Sequence, residues 1–317
     1  MPRQARVIHV VAGILRDEQG RVLLARRPPG KHLAGLWEFP GGKCEPGESS
    51  ETALRRELAE EIGIRADTIE PLMAVPWHYT EKSVVLDVYD VRSWRGEAHG
   101  REGQALRWAS VAELPALQMP PADRPVVTAL RLPRHYPITP EPGADEAPFL
   151  RAFGALLDAG ETCIQLRCKT VEPARLRALA RSVCKLADGA GAHILINGDA
   201  TLAAELGAGV HLSASALMSL SLRELPSGRW LAASCHDARE LAHAVAIGVD
   251  FAVLGPVLPT PSHPQSAALG WNRFAELVAS APLPVYALGG VGPADLAIAR
   301  RAGAQGVAGI SAFWPTA

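Results

Sequence analysis

GGKCEPGESSETALRRELAEEIGI, running from Gly41 to Ile64, is the stretch that decides the reading of the first half of the chain. Pro46 and Gly47 make a turn, and Ser49 or Ser50 is placed to cap a helix that reads over 50–62. Leu54, Leu58 and Ile62 recur every four residues and form its buried stripe. At about 100° per residue, Glu57, Glu60 and Glu61 form an adjoining acidic stripe. Glu57 and Glu61 are one turn apart, where like charges repel unless a cation neutralises them. Glu48 reaches in from the preceding loop, Arg56 is placed to hold the carboxylates by a bidentate contact, and Gly63 permits the helix to stop. An oxygen-rich site of this kind favours Mg²⁺ or Mn²⁺ over zinc. Such an ion neutralises a pyrophosphate and activates water beside it. Taken alone, three glutamates fit a solvated acidic helix face equally well.

Around this helix the chain reads as strands. RVIHVVAGIL (6–15) is rich in β-branched residues, DEQG turns the chain, and RVLLARR (21–27) follows as a second strand. The segment from Pro28 to Ser49 is a long loop punctuated by Gly and Pro. Further strands are expected at 83–91 and 105–110, with a second helix near 122–132. This is a compact α/β/α unit, and the linker after it falls around 131–136. The division expected is 1–132 and 133–317.

The second part has a different rhythm. Eight short apolar runs alternate mostly with helical segments: 135–139, 162–167, 193–197, 209–212, 230–235, 251–255, 284–290 and 306–311. That pattern predicts a (β/α)₈ barrel, with an open doubly wound sheet as the competing topology. Fold class is therefore α/β in both halves.

Bulk properties set limits. A chain of 317 residues suits two domains, and 48% hydrophobic with 21% charged residues is ordinary for a folded protein and excludes a largely disordered one. A net charge of −1 gives no footprint of backbone-driven nucleic-acid binding. Five cysteines, an odd number with no CxxC pair, argue against a disulfide framework or structural zinc and for a reducing cytoplasm. The apolar stretch at the N-terminus is too short to span a membrane and reads as a strand. Oligomeric state is not legible.

From Gly42 the spacing is G-x₅-E-x₇-R-E-L-x-E-E-x-G-I. It resembles the signature of the Nudix hydrolases without departure. With Glu38-Phe39-Pro40 preceding Gly41-Gly42, it resembles most the MutT-like 8-oxo-dGTP diphosphatase branch. The resemblance implies a Nudix α/β/α sandwich with a mixed sheet. It also implies a Mg²⁺-dependent enzyme that hydrolyses a small-molecule nucleoside triphosphate to the monophosphate and pyrophosphate. It makes the Gly41 carbonyl, Glu57, Glu60, Glu61 and Glu102 metal ligands, and Arg27 and Lys43 phosphate contacts. Tyr79 and Lys82 fall where the family has an aromatic and a basic residue near the nucleotide. The helix glutamates Glu57, Glu60 and Glu61 are candidates to orient or deprotonate water, with the role not assigned to one of them. Asp123 stands where close members have an Asn reading the oxidised purine; Asn both donates and accepts, whereas ionised Asp only accepts.

The second half resembles the thiamine phosphate synthase and TenI-like barrels through QLRCK (165–169), GVHL (209–212), GPVLPTPSH (255–263), ALGGV (287–291) and GVAGIS (306–311). Each lies at the C-terminal end of an expected strand, where barrel enzymes keep their sites. Gly289, Gly290, Gly309 and Ser311 are candidates to present backbone N–H groups to a phosphate, against the plainer reading of tight turns. Arg167 and Lys169 match residues that hold the pyrophosphate of a pyrimidine substrate. The acidic metal ligands do not match: Asn197-Gly198-Asp199 puts the Asp one place late, and HLSASA (211–216) has no acid. His263 stands where a phosphate-binding Lys is usual. His236, by resemblance to the thiazole tautomerases, is a candidate acid/base, or else only a loop hydrogen bond. The expectation is a barrel that binds a phosphorylated thiazole or pyrimidine ligand with synthase activity weakened or lost. The competing reading of the whole chain is a bifunctional thiamine-pathway protein.

Overall fold

The computed structural model describes residues 7–80, 82–223, 225, 228–260 and 267–314. His263 lies outside them. The chain divides into two compact units, Met1–Arg131 and Leu132–Ala317.

The first unit contains β1 (Val7–Leu15), β2 (Val22–Arg26), β3 (Trp37–Glu38), α1 (Ser50–Ile62), β4 (Arg65–His78), β5 (Ser83–Arg95), β6 (Leu106–Ala109) and α2 (Arg124–Arg131). One sheet is mixed, in the order β1-β5-β4, with β1 parallel to β5 and β4 antiparallel to it. A second, antiparallel sheet has the order β3-β2-β6. Side chains of β1 alternate between two cores, as the period of a strand requires. Val11 and Leu15 pack with Leu54, Leu58 and Ile62 of α1, whereas Ala12 and Ile14 pack with Val126 and Val127 of α2. The sequence assigned no strand to 65–78. That segment carries Pro71 and Pro76 and pairs with β5 through register shifts, and it is tolerated because β4 is an edge strand.

α1 forms for the reasons visible in its sequence. Ser49 accepts from the Thr52 amide at 3.2 Å, and Gly63 closes the helix in the left-handed conformation at φ 74°. Leu54, Leu58 and Ile62 are fully buried, each contributing about 1.5–3 kcal/mol of burial as an upper estimate.

The second unit is a closed barrel. Its elements are β7 (His135–Pro137), α3 (Ala147–Asp158), β8 (Cys163–Leu166), α4 (Pro173–Ala190), β9 (His193–Asn197), α5 (Ala200–Leu206), β10 (Gly209–Leu212), α6 (Ala214–Ser219), β11 (Leu231–Cys235), α7 (Ala238–Ala246), β12 (Phe251–Leu254), α8 (Gly270–Ala279), β13 (Val285–Leu288), α9 (Leu296–Arg301) and β14 (Gly306–Gly309). The parallel strands run β7-β14-β13-β12-β11-β10-β9-β8. Closure comes from the Ile138–Gln165 bridge and the Thr139 amide, which donates to the Gln165 carbonyl at 2.9 Å. This order excludes the doubly wound sheet. Units three and four are abbreviated, with α5 seven and α6 six residues long. Tyr136, Phe251 and Tyr286 fill the barrel centre, their rings 5.1–5.6 Å apart, so the interior is a packed core.

Candidate active site

In the first unit a cavity of about 480 Å³ opens beside α1. Arg27, Gly41, Lys43, Glu57, Glu61, Tyr79, Lys82, Glu102 and Asp123 all line it. Glu60 does not. It turns to Arg56 at 3.1 Å and its side chain is 61% exposed. Glu48 likewise ends on Arg56 rather than in the cavity.

Arg56 organises this wall. Its Nε and Nη2 donate to the two oxygens of Glu48 at 3.0 and 2.9 Å, and Nη2 also donates to the Lys43 carbonyl at 3.0 Å. Nη1 donates to Glu57 at 2.9 Å and to Glu60 at 3.1 Å. All five guanidinium N–H groups are therefore used, which a lysine could not reproduce.

The Gly41-Gly42 pair is dictated by close approach. A Cβ on Gly41 would stand 2.1 Å from the Val11 carbonyl, and one on Gly42 would stand 2.3 Å from the Glu57 carboxylate. The neighbouring carbonyls of Pro40 and Gly42 accept from Gly13 and Val11 of β1, each at 2.8 Å. No described hydrogen bond ends on the Gly41 carbonyl between them.

Glu61 reports the electrostatics. Burial first, then repulsion from Glu57, Glu38 and Glu102, pushes its carboxyl up to about 7. Carboxylates that repel at close quarters beside an open carbonyl form a hard oxygen donor set suited to a divalent cation. Among the described residues no three acidic, His or Cys side chains already converge in coordination geometry. Here Glu57 pairs with Arg56, and Glu102 accepts from Lys31 Nζ at 2.9 Å. These two cations hold the carboxylates that a metal ion would draw in.

Part of the lining is apolar, formed by Ile8, Val10, Val84, Leu86, Pro120 and Ala122. Tyr79 has Lys82 Nζ 5.7 Å from its ring and His32 edge-on at 5.8 Å. Asp123, at the end of the Pro121–Asp123 turn, is only 5% exposed. No hydrogen-bond donor among the described residues meets its carboxyl, and burial with the nearby Glu38 raises its pKa well above the ordinary value. Arg27, expected as a phosphate contact, is taken by the Glu38 carboxylate and the His32 carbonyl. Lys31, His32 and Glu38 were not singled out from sequence. Glu38 lies within the EFPGG run that pointed to the family, whereas Lys31 and His32 carry no spacing signal of their own.

In the barrel, a cavity of about 920 Å³ opens at the C-terminal ends of the strands. Arg167, Lys169, His236, Gly289, Gly290, Gly309 and Ser311 line it, together with Gln165, Asn197, Ser213 and Ser234, which were not singled out. No described hydrogen bond uses the N–H of Gly290 or Ser311. Gly290 also makes a tight turn, with φ 68° and the Pro259 carbonyl 2.7 Å from where a Cβ would be, as the plainer reading expects. No Asp or Glu is among the described lining residues. Asp199 instead caps α5, accepting from the Leu202 amide at 2.8 Å. His236 Nδ1 stands 3.0 Å from Glu240, whose carboxylate also accepts from the His236 amide. Cys235 is buried, and its thiol is pushed up to about 12, which makes it inert.

Fold and sites together define a hydrolase of phosphate anhydrides joined to a barrel that binds phosphorylated small molecules. The NUDIX domain family model matches residues 11–129, and the thiamine monophosphate synthase model matches 135–313. The 8-oxo-dGTP diphosphatase of Escherichia coli (strain K12) is 36% identical over 124 residues, covering 39% of this chain and 96% of that protein. The CTP pyrophosphohydrolase of the same organism is 43% identical over 126 residues, covering 39% of this chain and 91% of that protein. The thiamine-phosphate synthase of Halorhodospira halophila (strain DSM 244 / SL1) is 31% identical over 183 residues, covering 56% of this chain and 85% of that protein. The chain belongs to the Nudix hydrolases through its first unit and to the thiamine monophosphate synthase family through its second. Nudix hydrolases act with a divalent metal ion.

Proposed function

We propose that the first unit is a Mg²⁺-dependent nucleoside triphosphate pyrophosphohydrolase, acting on 8-oxo-dGTP or a related oxidised purine nucleotide in sanitation of DNA precursors. One observation carries this reading: a single cavity lined by carboxylates and by apolar side chains, with Tyr79 and with Asp123, whose carboxyl meets no hydrogen-bond donor among the described residues. The carboxylates suit the phosphates with their cation, and the apolar side chains suit a flat base.

Glu57, Glu61, Glu102 and the Gly41 carbonyl would hold Mg²⁺, which screens phosphate charge and lowers the pKa of bound water. Glu60 joins them if it leaves Arg56. Lys43, and Arg27 on leaving Glu38, offset charge on the phosphate oxygens. A helix glutamate orients the water and takes its proton as the water oxygen bonds to phosphorus. The anhydride P–O bond breaks, and pyrophosphate leaves. Tyr79 and Lys82 cover the base, and Asp123 reads its edge. With five free cysteines and no described helix long and apolar enough to cross a membrane, the cytoplasm is the compartment we assign.

For the barrel we propose binding of a phosphorylated thiazole or pyrimidine through Arg167, Lys169 and the Gly289-Gly290 and Gly309–Ser311 loops, with synthase activity weakened or lost. The absence of Asp and Glu from the described lining supports this, because departure of pyrophosphate there lacks carboxylates to hold a metal. The His236–Glu240 contact favours a second reading, proton shuttling on a thiazole, as part of a bifunctional thiamine-pathway protein. An assay comparing the protein with His236→Ala on a thiazole tautomer rejects that reading if the rates are equal.

The deciding experiment measures pyrophosphate release with Mg²⁺ from 8-oxo-dGTP, dGTP, the other dNTPs, CTP and hydroxymethylpyrimidine pyrophosphate. Preference for 8-oxo-dGTP, abolished in Glu57→Gln, is the expected result. Preference for the pyrimidine pyrophosphate overturns it in favour of the thiamine-related reading, and preference for CTP overturns the purine assignment.

A further inference from the structure

The barrel interior holds a polar chain that neither the acidic site nor the glycine loops use. Tyr136 of β7 is fully buried against Phe251, Tyr286 and Cys163. Among the described residues its hydroxyl has one hydrogen-bond partner, His211 Nδ1 of β10, at 3.0 Å. The other ring nitrogen of His211, Nε2, stands 2.9 Å from Ser234 Oγ of β11. Ser234 lines the cavity, so the chain runs from the core to the ligand space.

His211 is 1% exposed, and its burial, reinforced by the charge of Arg167, presses its pKa down to about 3. The ring is neutral and carries one N–H and one bare nitrogen. With the proton on Nδ1, the imidazole donates to the Tyr136 oxygen, and the phenolic hydrogen is left without an acceptor among aromatic rings. Such a stranded donor is costly. With the proton on Nε2, Tyr136 donates to Nδ1, and Nε2–H donates to Ser234 Oγ. Every polar hydrogen of the chain inside the core is then used, in keeping with a structure in which every fully enclosed side-chain N and O atom among the described residues has a partner. The Ser234 oxygen receives a hydrogen bond from behind, so its own hydrogen is left for the cavity.

We propose that Tyr136 and His211 are positioning residues that fix the Ser234 hydroxyl as a hydrogen-bond donor to a phosphate oxygen of the barrel ligand. The inference rests on the reading of this cavity as a site for a phosphorylated ligand. It makes His211 an orienting group and not a base, and it makes Ser234 a donor and not an activated nucleophile. The cations Arg167 and Lys169 on the same cavity favour an anionic acceptor.

The full chain, labelled with ¹⁵N-histidine, tests it through long-range ¹H–¹⁵N spectra. His211 is expected as the pure Nε2–H tautomer, without titration between about pH 5 and pH 9. An Nδ1–H tautomer or a titrating imidazolium overturns the proposal. Tyr136→Phe removes the donor to Nδ1 and is expected to give a mixture of tautomers; an unchanged tautomer overturns the role of Tyr136. Inorganic pyrophosphate, added without metal, is expected to shift the His211 Nε2–H signal. Its affinity at the barrel should fall about fivefold in Ser234→Ala and by a similar factor in Tyr136→Phe, with Ser234→Thr retaining it. A response at the Arg167 side chain with none at His211 overturns the inference and leaves the ligand reading standing. No response at either removes the ligand reading and the inference with it.

Discussion

Asp123→Asn offers the sharpest test of the base pocket. The wild-type carboxyl is buried, without a hydrogen-bond donor among the described residues and near Glu38, and only Arg27 acts to lower its pKa. Its pKa in the folded protein therefore lies well above its value in the unfolded chain, and the native state holds the proton more tightly. The sign follows from linkage: the stabilising effect is fully present below the ordinary Asp range and is lost as pH rises through the raised value. Between those two pKa values wild type loses about 1.4 kcal/mol per pH unit relative to Asp123→Asn, which cannot ionise. Below about pH 4 the gap between the two proteins is constant. Urea denaturation of the full chain over a pH series, followed through NMR signals of α1, reads the first unit separately. A neutral acid offers the same donor and acceptor pair as an amide. On an oxidised purine triphosphate, kcat/KM of wild type relative to Asp123→Asn should therefore decline with rising pH by up to about tenfold per unit above the Asp123 pKa. A stability gap that does not change with pH, or one that closes as pH rises, would refute the reasoning.

Three further changes probe the acidic wall. Arg56→Lys keeps the charge but cannot make five hydrogen bonds, so kcat should fall about 10- to 100-fold with weaker Mg²⁺ activation; near-wild-type activation curves would show that the fork geometry is dispensable. Gly42→Ala places a methyl where the Glu57 carboxylate stands, at a residue whose backbone is outside the left-handed region. Mg²⁺ affinity by titration calorimetry should drop about tenfold or more, with less than about 1 kcal/mol lost in stability. Glu61→Gln, compared with wild type in EDTA, removes a carboxyl pushed up to about 7 by burial and by Glu57, Glu38 and Glu102. Wild type loses stability as pH rises through that value, so the metal-free variant should be more stable by about 1–2 kcal/mol above it, after allowance for solvent screening, while losing Mg²⁺-dependent activity.

What sequence could reveal depended on whether the deciding interaction is local. Leu54, Leu58 and Ile62 show the period of α1 directly, and Ser49 and Gly63 mark its ends. The eight barrel strands are short apolar runs between turn formers, and all eight form. β4 is the counterexample: Pro71 and Pro76 argue against a strand unless one knows that it lies at a sheet edge. Within the acidic stripe, helical geometry held more information than was used. Glu57 and Glu61 are one turn apart on the cavity edge, whereas Glu60 is one turn from Arg56 and pairs with it. Burial of Asp123 was not legible, because it depends on walls contributed by residues as distant as Tyr79 and Glu38. His211 was passed over in GVHL for the same reason. Its neighbours Tyr136 and Ser234 arrive from other strands only once the barrel closes.

The two cavities differ in one respect that bears on chemistry. The first carries Glu38, Glu57, Glu61, Glu102 and Asp123 with Arg27, Lys31, Lys43 and Lys82. Two of its cations neutralise acids in pairs, Arg27 with Glu38 and Lys31 with Glu102. Burial, and then repulsion from Glu57, Glu38 and Glu102, still lifts Glu61 to about 7, a standing cost that a divalent ion relieves. The barrel cavity carries Arg167 and Lys169 with no described acid, and the Asp nearest the expected place is spent as a helix cap. A phosphate entering there meets positive charge directly, with no acidic wall to be screened first. Expulsion of a pyrophosphate from the same place lacks the carboxylates that would bring a cation to the leaving group. On the proposed reading the barrel holds a phosphorylated molecule, and what it can do to that molecule falls to groups other than carboxylates: Ser234, the His211 behind it, and His236.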